Sequence, residues 1–388
     1  MSSKKRAYSW GFILAFGIGG VFLGRWLGGT LMRSAEFGFP FGSSLGKIPS
    51  LFLLLCLVAV AYYLAIFLHE WGHLLVGLLY GFRFGAFIVG PFKVSREQSR
   101  LRFQLKGGFN LLGGFTLMAM PQRGELARLM FRMVAGGPLA SFIMVLLCGI
   151  LFIALGGPHS LTAETAIGLW ITQFILGLLV LFNALITGIS LWPRQIGLVL
   201  TDGARLQVLA RPGPRREAEI AFLRLYQGAY NGIPPRQYDT TQLDHLLASE
   251  DQHPYGNVAR LYYYYHHLEL GNLEEARPWL RQAVVNTAHE HLFTQQLFTL
   301  EWAFHNTLWG TEDSQPYWPE RIITLIEPGT KARYLAAKAL TEGDTESALQ
   351  YAQQAQKLIP HQLDRGAIDM ELALVEAIMK QLKTSLAV

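Results

Sequence analysis

Four stretches in the first half of the chain hold apolar residues almost without interruption, from Ser9 to Gly29 (broken by Arg25), Ser50 to Tyr80, Met133 to Leu155 and Ile167 to Trp192. Each matches the roughly 20 residues that a helix needs to cross a bilayer, so the pattern predicts four membrane spans. Between the second and third spans the period changes. From Phe92 to Lys106, "FKVSREQSRLRFQLK" alternates apolar with polar or basic positions on either side of "REQS", which predicts a β-hairpin. After Ala210, "RPGPRRE" marks a linker, and the remaining chain shows helical rather than spanning character. The expected architecture is mainly α: a polytopic membrane helix bundle over residues 1–210 with a small β-hairpin, then a soluble α-helical domain over residues 215–388.

Composition agrees with a membrane assignment, since 51% of the residues are hydrophobic and only 16% charged. Charge divides the chain in the same place. Residues 1–214 hold 18 Lys/Arg and 6 Asp/Glu, a net of +12, and the rest hold 15 and 22, a net of −7, summing to the +5 of the whole. A basic membrane half and an acidic soluble half give no reason to expect nucleic acid as a partner. The first span follows "KKR", as a signal peptide would, but no small-residue cleavage site follows, and it is expected to remain as an anchor. The segment from Arg83 to Arg132 is rich in Lys and Arg, whereas "GGPHSLTAE" between the third and fourth spans has neither. The positive-inside rule then puts both termini and the basic loop in the cytoplasm, with Arg33 and Lys47 as a mild exception. Cys56 and Cys148 lie in apolar runs and suggest neither a disulfide framework nor a thiolate site.

Against this apolar background the second span carries "HEWGH", His69 to His73. An ionisable group inside a bilayer is costly, and a chain that keeps one there usually has a use for it. The stretch fits H-E-x-x-H, whose i, i+4 spacing sets two imidazoles on one helical face where they share one zinc ion. Catalytic zinc takes a third protein ligand and keeps a position for water, whose pKa falls toward roughly 7. Glu70 is the expected general base, taking a proton from that water and passing it to the leaving amine. The competing account is a histidine pair hydrogen-bonded to neighbouring helices in a non-enzymatic protein, but apolar residues would serve packing at lower cost.

The third ligand can be sought by elimination. Between Leu126 and Arg216 the only acids and histidine are Glu164, Asp202 and His159. Glu164 and His159 fall in or beside the short outer loop, whereas Asp202 follows the last span on the cytoplasmic side, the side toward which His69 and His73 also lie. Asp202 is therefore the expected ligand; the alternative is that it caps the helix of "TDGARLQVL".

Taken in order, His69-Glu70-x-Gly72-His73 in a membrane helix, "GGPLAS" from Gly136 to Ser141, and Pro193 followed by Asp202-Gly203 resemble the site-2 protease family of intramembrane zinc metalloproteases. The likeness covers roughly residues 50 to 210. It implies His69, His73 and Asp202 as ligands of one zinc ion per chain and Glu70 as general base. The chain departs from the family's pattern in having Ser190 and Ser141 where asparagines are frequent, and in the longer approach "RQIGLVLT" between Pro193 and Asp202.

In the soluble half, Gly271, Ala276 and Ala283 recur as Gly343, Ala348 and Ala355, an offset near twice the tetratricopeptide period of roughly 34 residues. The segments resemble tetratricopeptide-like helical pairs, an arrangement that implies a groove for a peptide or protein partner. The run Tyr262 to Tyr265 with His266 and His267 reads as core and groove lining.

The functional expectation is a zinc-dependent metalloendopeptidase of the cell membrane. It would cut a protein or peptide substrate in or near its membrane segment, with the hairpin edge holding unwound substrate as an added strand and the helical repeats recruiting substrate or regulator. The basic hairpin residues could instead only fix topology and meet lipid head groups. Two other classes compete: an inactive pseudoprotease serving as a membrane scaffold, and a proton-relay transporter, which the near absence of ionisable residues in the other spans disfavours.

Overall fold

A computed structural model describes the chain from Lys47 to Leu386, apart from residues 98–99, 106–112, 122–124, 158–165, 197–198, 249–254, 291, 311–316, 321, 323–326 and 363. The span expected from Ser9 to Gly29 lies outside the described residues.

Three long helices carry the apolar runs: α1 (Lys47–Leu79), α2 (Leu126–Ala154) and α3 (Ile167–Leu191). All three are long and apolar enough to cross a membrane. Their ends agree with the sequence pattern except at α2, which begins before Met133. The added turns of "LARLMFR" are amphipathic, burying Ala127 and Met130 while leaving Arg128, Phe131 and Arg132 exposed, and so lack the continuous apolar run that marks a span. The chain folds as two compact units, and their boundaries cut through α1, α2 and α3.

The first unit, Met1–His69 with Leu139–Thr187, is helical where described. Its core sets Leu54, Ala61 and Ala65 of α1 with Cys148 of α2 and Trp170, Phe174, Leu178 and Leu179 of α3. Small alanines let the α1 backbone approach its neighbours, which in lipid replaces the hydrophobic effect as a source of cohesion. The outward faces are no more polar than the core: Phe52, Leu55, Leu147, Ile150 and Ile153 are all exposed. A helix apolar on every side suits hydrocarbon and not water.

The second unit comprises Glu70–Pro138 and Gly188–Val388. It opens with the last turns of α1, which Gly81 ends in the left-handed conformation (φ 83°), its successor's N–H donating to the carbonyl of Gly77. A four-stranded antiparallel sheet follows: β1 (Arg83–Val89), β2 (Phe92–Glu97), β3 (Arg100–Leu105) and β4 (Gly114–Ala119), in spatial order β3-β2-β1-β4. The expected hairpin is β2 with β3, Phe92 opposite Leu105 and Glu97 opposite Arg100. The sheet is larger than expected because β1 and β4 are short apolar runs, "RFGAFIV" and "GFTLMA", with too little alternation to announce strands.

Beyond α3, two short strands, β5 (Gln195–Ile196) and β6 (Val199–Leu200), pair and lead into α4 (Asp202–Ala210). Among the described residues, eight further α-helices follow: α5 (Pro214–Tyr230), α6 (Thr240–Ala248), α7 (Gly256–Glu269), α8 (Leu273–Asn286), α9 (Leu292–Trp309), α10 (Pro328–Thr341), α11 (Thr345–Leu358) and α12 (Ile368–Leu386). The recurring glycines and alanines have the roles their spacing suggests. Gly271 turns α7 into α8 at φ 81° and Gly343 turns α10 into α11 at φ 77°, while Ala276, Ala283, Ala348 and Ala355 are fully buried. Tyr264 lies in the same core. His266 meets the Pro235 carbonyl and His267 pairs with Glu275, so both have structural partners.

Candidate metal centre

His69, Glu70 and His73 are all buried on α1. The unit boundary falls between His69 and Glu70, inside one unbroken helix, so the i, i+4 spacing alone brings the two imidazoles to one face. Each ring is held through Nδ1. His73 Nδ1 lies 3.1 Å from the carbonyl oxygen of Met133. The Gly137 N–H lies 3.3 Å from the same nitrogen, so Nδ1 meets an acceptor and a donor of the backbone, and Nε2 is the nitrogen turned to Asp202. For His69, Nδ1 meets the buried Ser141 hydroxyl at 3.0 Å, again leaving Nε2 as the other ring nitrogen. This is the usual outer support of a metal-ligating histidine.

The approach to Asp202 shows how the longer connection closes. "WPRQIGLVLT" folds back on itself through β5 and β6, with Gln195 opposite Leu200 and Ile196 opposite Val199. Thr201 completes the return: its hydroxyl donates to the Trp192 carbonyl at 2.7 Å and its N–H to the Arg194 carbonyl at 3.0 Å. The same hydroxyl accepts from the Ala204 N–H, so Thr201, and not Asp202, caps α4. Gly203 then lies against the end of α3, where a Cβ would strike the Leu191 carbonyl. These contacts place Asp202 on the first turn of α4, its Oδ2 3.5 Å from His73 Nε2.

His69, His73 and Asp202 form a group that could hold a metal ion, with one ligand atom from each residue and all of these atoms within 4.8 Å of one another. Ligands about 2.0–2.1 Å from a tetrahedral zinc stand roughly 3.3 Å apart, close to the His73–Asp202 separation. Two neutral imidazoles and a carboxylate are also the donor chemistry of a catalytic zinc site. The residues therefore fit the ion.

Glu70 stands outside this group. Thr116 of β4 donates its hydroxyl to Glu70 Oε2 at 2.7 Å, which aims the carboxylate from the sheet side. Thr116 is the contributor that sequence reasoning missed; its strand was unmarked and a lone threonine carries no signal. The glycines of "GGPLAS" act by close approach. A Cβ at Gly136 would fall on the Gly72 carbonyl and Val76, and one at Gly137 would enter the His73 ring. Ser141 has a definite partner in His69, while Ser190 sits in the last turn of α3. His159 and Glu164, weighed as alternative ligands, lie outside the described residues.

Among known proteins, the family model described as "Peptidase family M50" matches residues 57–384. No curated protein and no solved structure matches the chain.

Proposed function

The chain belongs to peptidase family M50, the site-2 protease family, and from that premise we propose that it is a zinc-dependent intramembrane endopeptidase that hydrolyses a peptide bond in or near the membrane segment of a protein or peptide substrate. The observation that carries this reading is the meeting of His69, His73 and Asp202 with Glu70 beside them. Zinc, when bound, supplies a Lewis acid that polarises a carbonyl and lowers the pKa of water.

The chain's own residues do the rest. His69 and His73 offer Nε2, their Nδ1 atoms being engaged elsewhere, and Asp202 offers its carboxylate. Glu70 accepts the proton of the attacking water and delivers it to the leaving amine. Thr116 keeps the Glu70 carboxylate turned toward that task. A helical substrate must unwind before its peptide bond is accessible, and an edge of the sheet offers backbone groups for an added strand. The membrane part, 1–210, holds the chemistry, and the tetratricopeptide-like part, 215–388, lies in the cytoplasm and recruits substrate or a regulatory protein.

The test is a pair of variants beside the unaltered chain in detergent, with zinc measured by elemental analysis and cleavage measured on a panel of membrane-spanning reporter polypeptides in the same detergent. Glu70→Gln retains about one zinc per chain and loses cleavage by at least about 100-fold, the scale of general acid–base catalysis. His73→Ala loses both. Full activity in Glu70→Gln would overturn the mechanism. An unaltered chain that holds zinc yet cuts nothing is the result the scaffold reading expects.

A further inference from the structure

Asp202 sits at the start of a helix only nine residues long. Such a helix is too short to be stable on its own and takes its position from what it touches. At its first turn the contacts are those of Thr201 and Gly203. One turn on, the contact is of a different kind. Arg205, which i, i+3 spacing puts on the Asp202 side of α4, donates from Nε to Glu219 Oε1 of α5 at 2.9 Å. Glu219 is 1% exposed. Its second oxygen accepts from the Tyr255 hydroxyl at 2.7 Å. Tyr255 is itself buried and lies flat on Phe222 of α5, ring centroids 4.1 Å apart and planes 5° from parallel. Burial and the adjacent Glu219 push the Tyr255 hydroxyl pKa up, so it remains a donor at any working pH.

Both oxygens of one buried carboxylate are thus occupied, by groups from two other elements. A buried ion pair is a poor source of stability compared with apolar packing, but it holds one geometry. Asp202 and Arg205 are about 4.5 Å apart along the helix axis, so a shift or rotation of α4 at Arg205 moves the Asp202 carboxylate nearly as far. A metal ligand must be held to roughly 0.2 Å.

We infer that Arg205 is a positioning residue for the metal centre, which the Glu219–Tyr255 pair of the C-terminal helices holds so that Asp202 stands where a metal ion needs it. The helices after Pro214 then support the site as well as recruiting a partner, and whatever shifts α5 relative to α7 alters metal affinity. The inference rests on the reading of Asp202 as a ligand.

The experiment uses the full chain in detergent, stripped of metal. Zinc affinity is read by competition with a chromophoric chelator, and cobalt(II) supplies a visible absorption spectrum sensitive to ligand geometry. Arg205→Ala and Glu219→Gln weaken zinc binding about 10- to 100-fold, the usual effect of removing the support of a ligand, and change the cobalt spectrum. Arg205→Lys restores most of the affinity. Tyr255→Phe, which keeps the ring on Phe222 and removes only the hydroxyl, weakens binding less but measurably. Wild-type affinity and spectrum in folded Arg205→Ala and Glu219→Gln would overturn the inference. Should those two fail to fold, an unchanged affinity and spectrum in Tyr255→Phe would overturn it instead. Asp202→Ala separates this from the underlying reading: undiminished metal binding there refutes the ligand assignment itself, whatever Arg205 does.

Discussion

Two buried histidines of this chain differ in what their ring nitrogens meet. At His73, Nδ1 is spent on a backbone carbonyl and Nε2 faces Asp202. His305, in the C-terminal helices, is buried too, but its neighbours are rings: it stacks on Trp302, lies beside Trp309 and meets the Tyr264 hydroxyl only at 3.4 Å. Burial, with a smaller contribution from Arg277, pushes its pKa down to about 4 against the opposing pull of Glu301. The depressed folded value makes the unfolded chain the better proton binder between about pH 4 and 6.5. The stability that His305 contributes is therefore complete above about pH 6.5 and is lost as pH falls toward 4. Between pH 7 and pH 5 the loss is about 2 kcal/mol. An NMR titration of labelled histidine rings, assigned with His305→Gln, is expected to show this ring changing charge near pH 4; a midpoint near 6.5 would contradict its burial as described. Sequence alone singled out His69 and His73 as candidates because their spacing is a pattern. Thr116, Ser141 as the partner of His69, and the Met133 carbonyl had no such pattern, since each acts through a contact tens of residues away.

At the scale of elements, α2 passes close to α1 at the candidate metal centre. Gly136 and Gly137 remove two Cβ atoms where the helices meet, and the second of these leaves room for the His73 ring. Gly137→Ala is expected to displace that ring, weaken zinc binding and lower stability by about 1–3 kcal/mol, the usual effect of overpacking. Gly149→Ala on the same helix is the control, because its added Cβ would meet only Val180 at 3.9 Å, an ordinary contact. Zinc analysis and thermal melting of the two proteins check this; equal zinc content in both would show that the close approach does not matter to the ligand. The glycine pair was visible in the sequence as a small-residue stretch, for which helix packing was the plainer explanation. Packing is what the structure shows, and the ring packed against Gly137 is that of His73, the proposed ligand. The pairing of β1 with β4 was not visible, because a short apolar run does not say whether it is strand or helix until a partner is found.

For the whole molecule, the positions of the basic residues give an expected arrangement across a membrane. A reporter joined after Val388 is expected to be cytoplasmic and one inserted near His159 external, read by protease protection in sealed vesicles. An external C-terminus would put the helices that carry Glu219 and Tyr255 outside the cell and would remove the topological argument for Asp202. The charge asymmetry that suggests this orientation is a property of composition. The same composition gave no hint that the residues following Pro214 reach back to α4 through Arg205 and Glu219.

What the chain's linear order settles is what local spacing can settle. Long apolar runs make spanning helices because an unpaired backbone cannot be left in hydrocarbon, and an i, i+4 histidine pair shares a face because the helix repeats every 3.6 residues. Glycines at Gly271 and Gly343 turn one helix into the next because they alone enter the left-handed region at no steric cost. The tertiary structure decided everything that joins distant segments: which nitrogen of His73 is occupied, that Thr201 rather than Asp202 caps α4, that "RQIGLVLT" closes as a hairpin and returns Asp202 to within 3.5 Å of His73, and that Thr116 meets Glu70. These are contacts between residues dozens of positions apart or loop closures set by single hydrogen bonds, and neither composition nor periodicity encodes the distance across a fold.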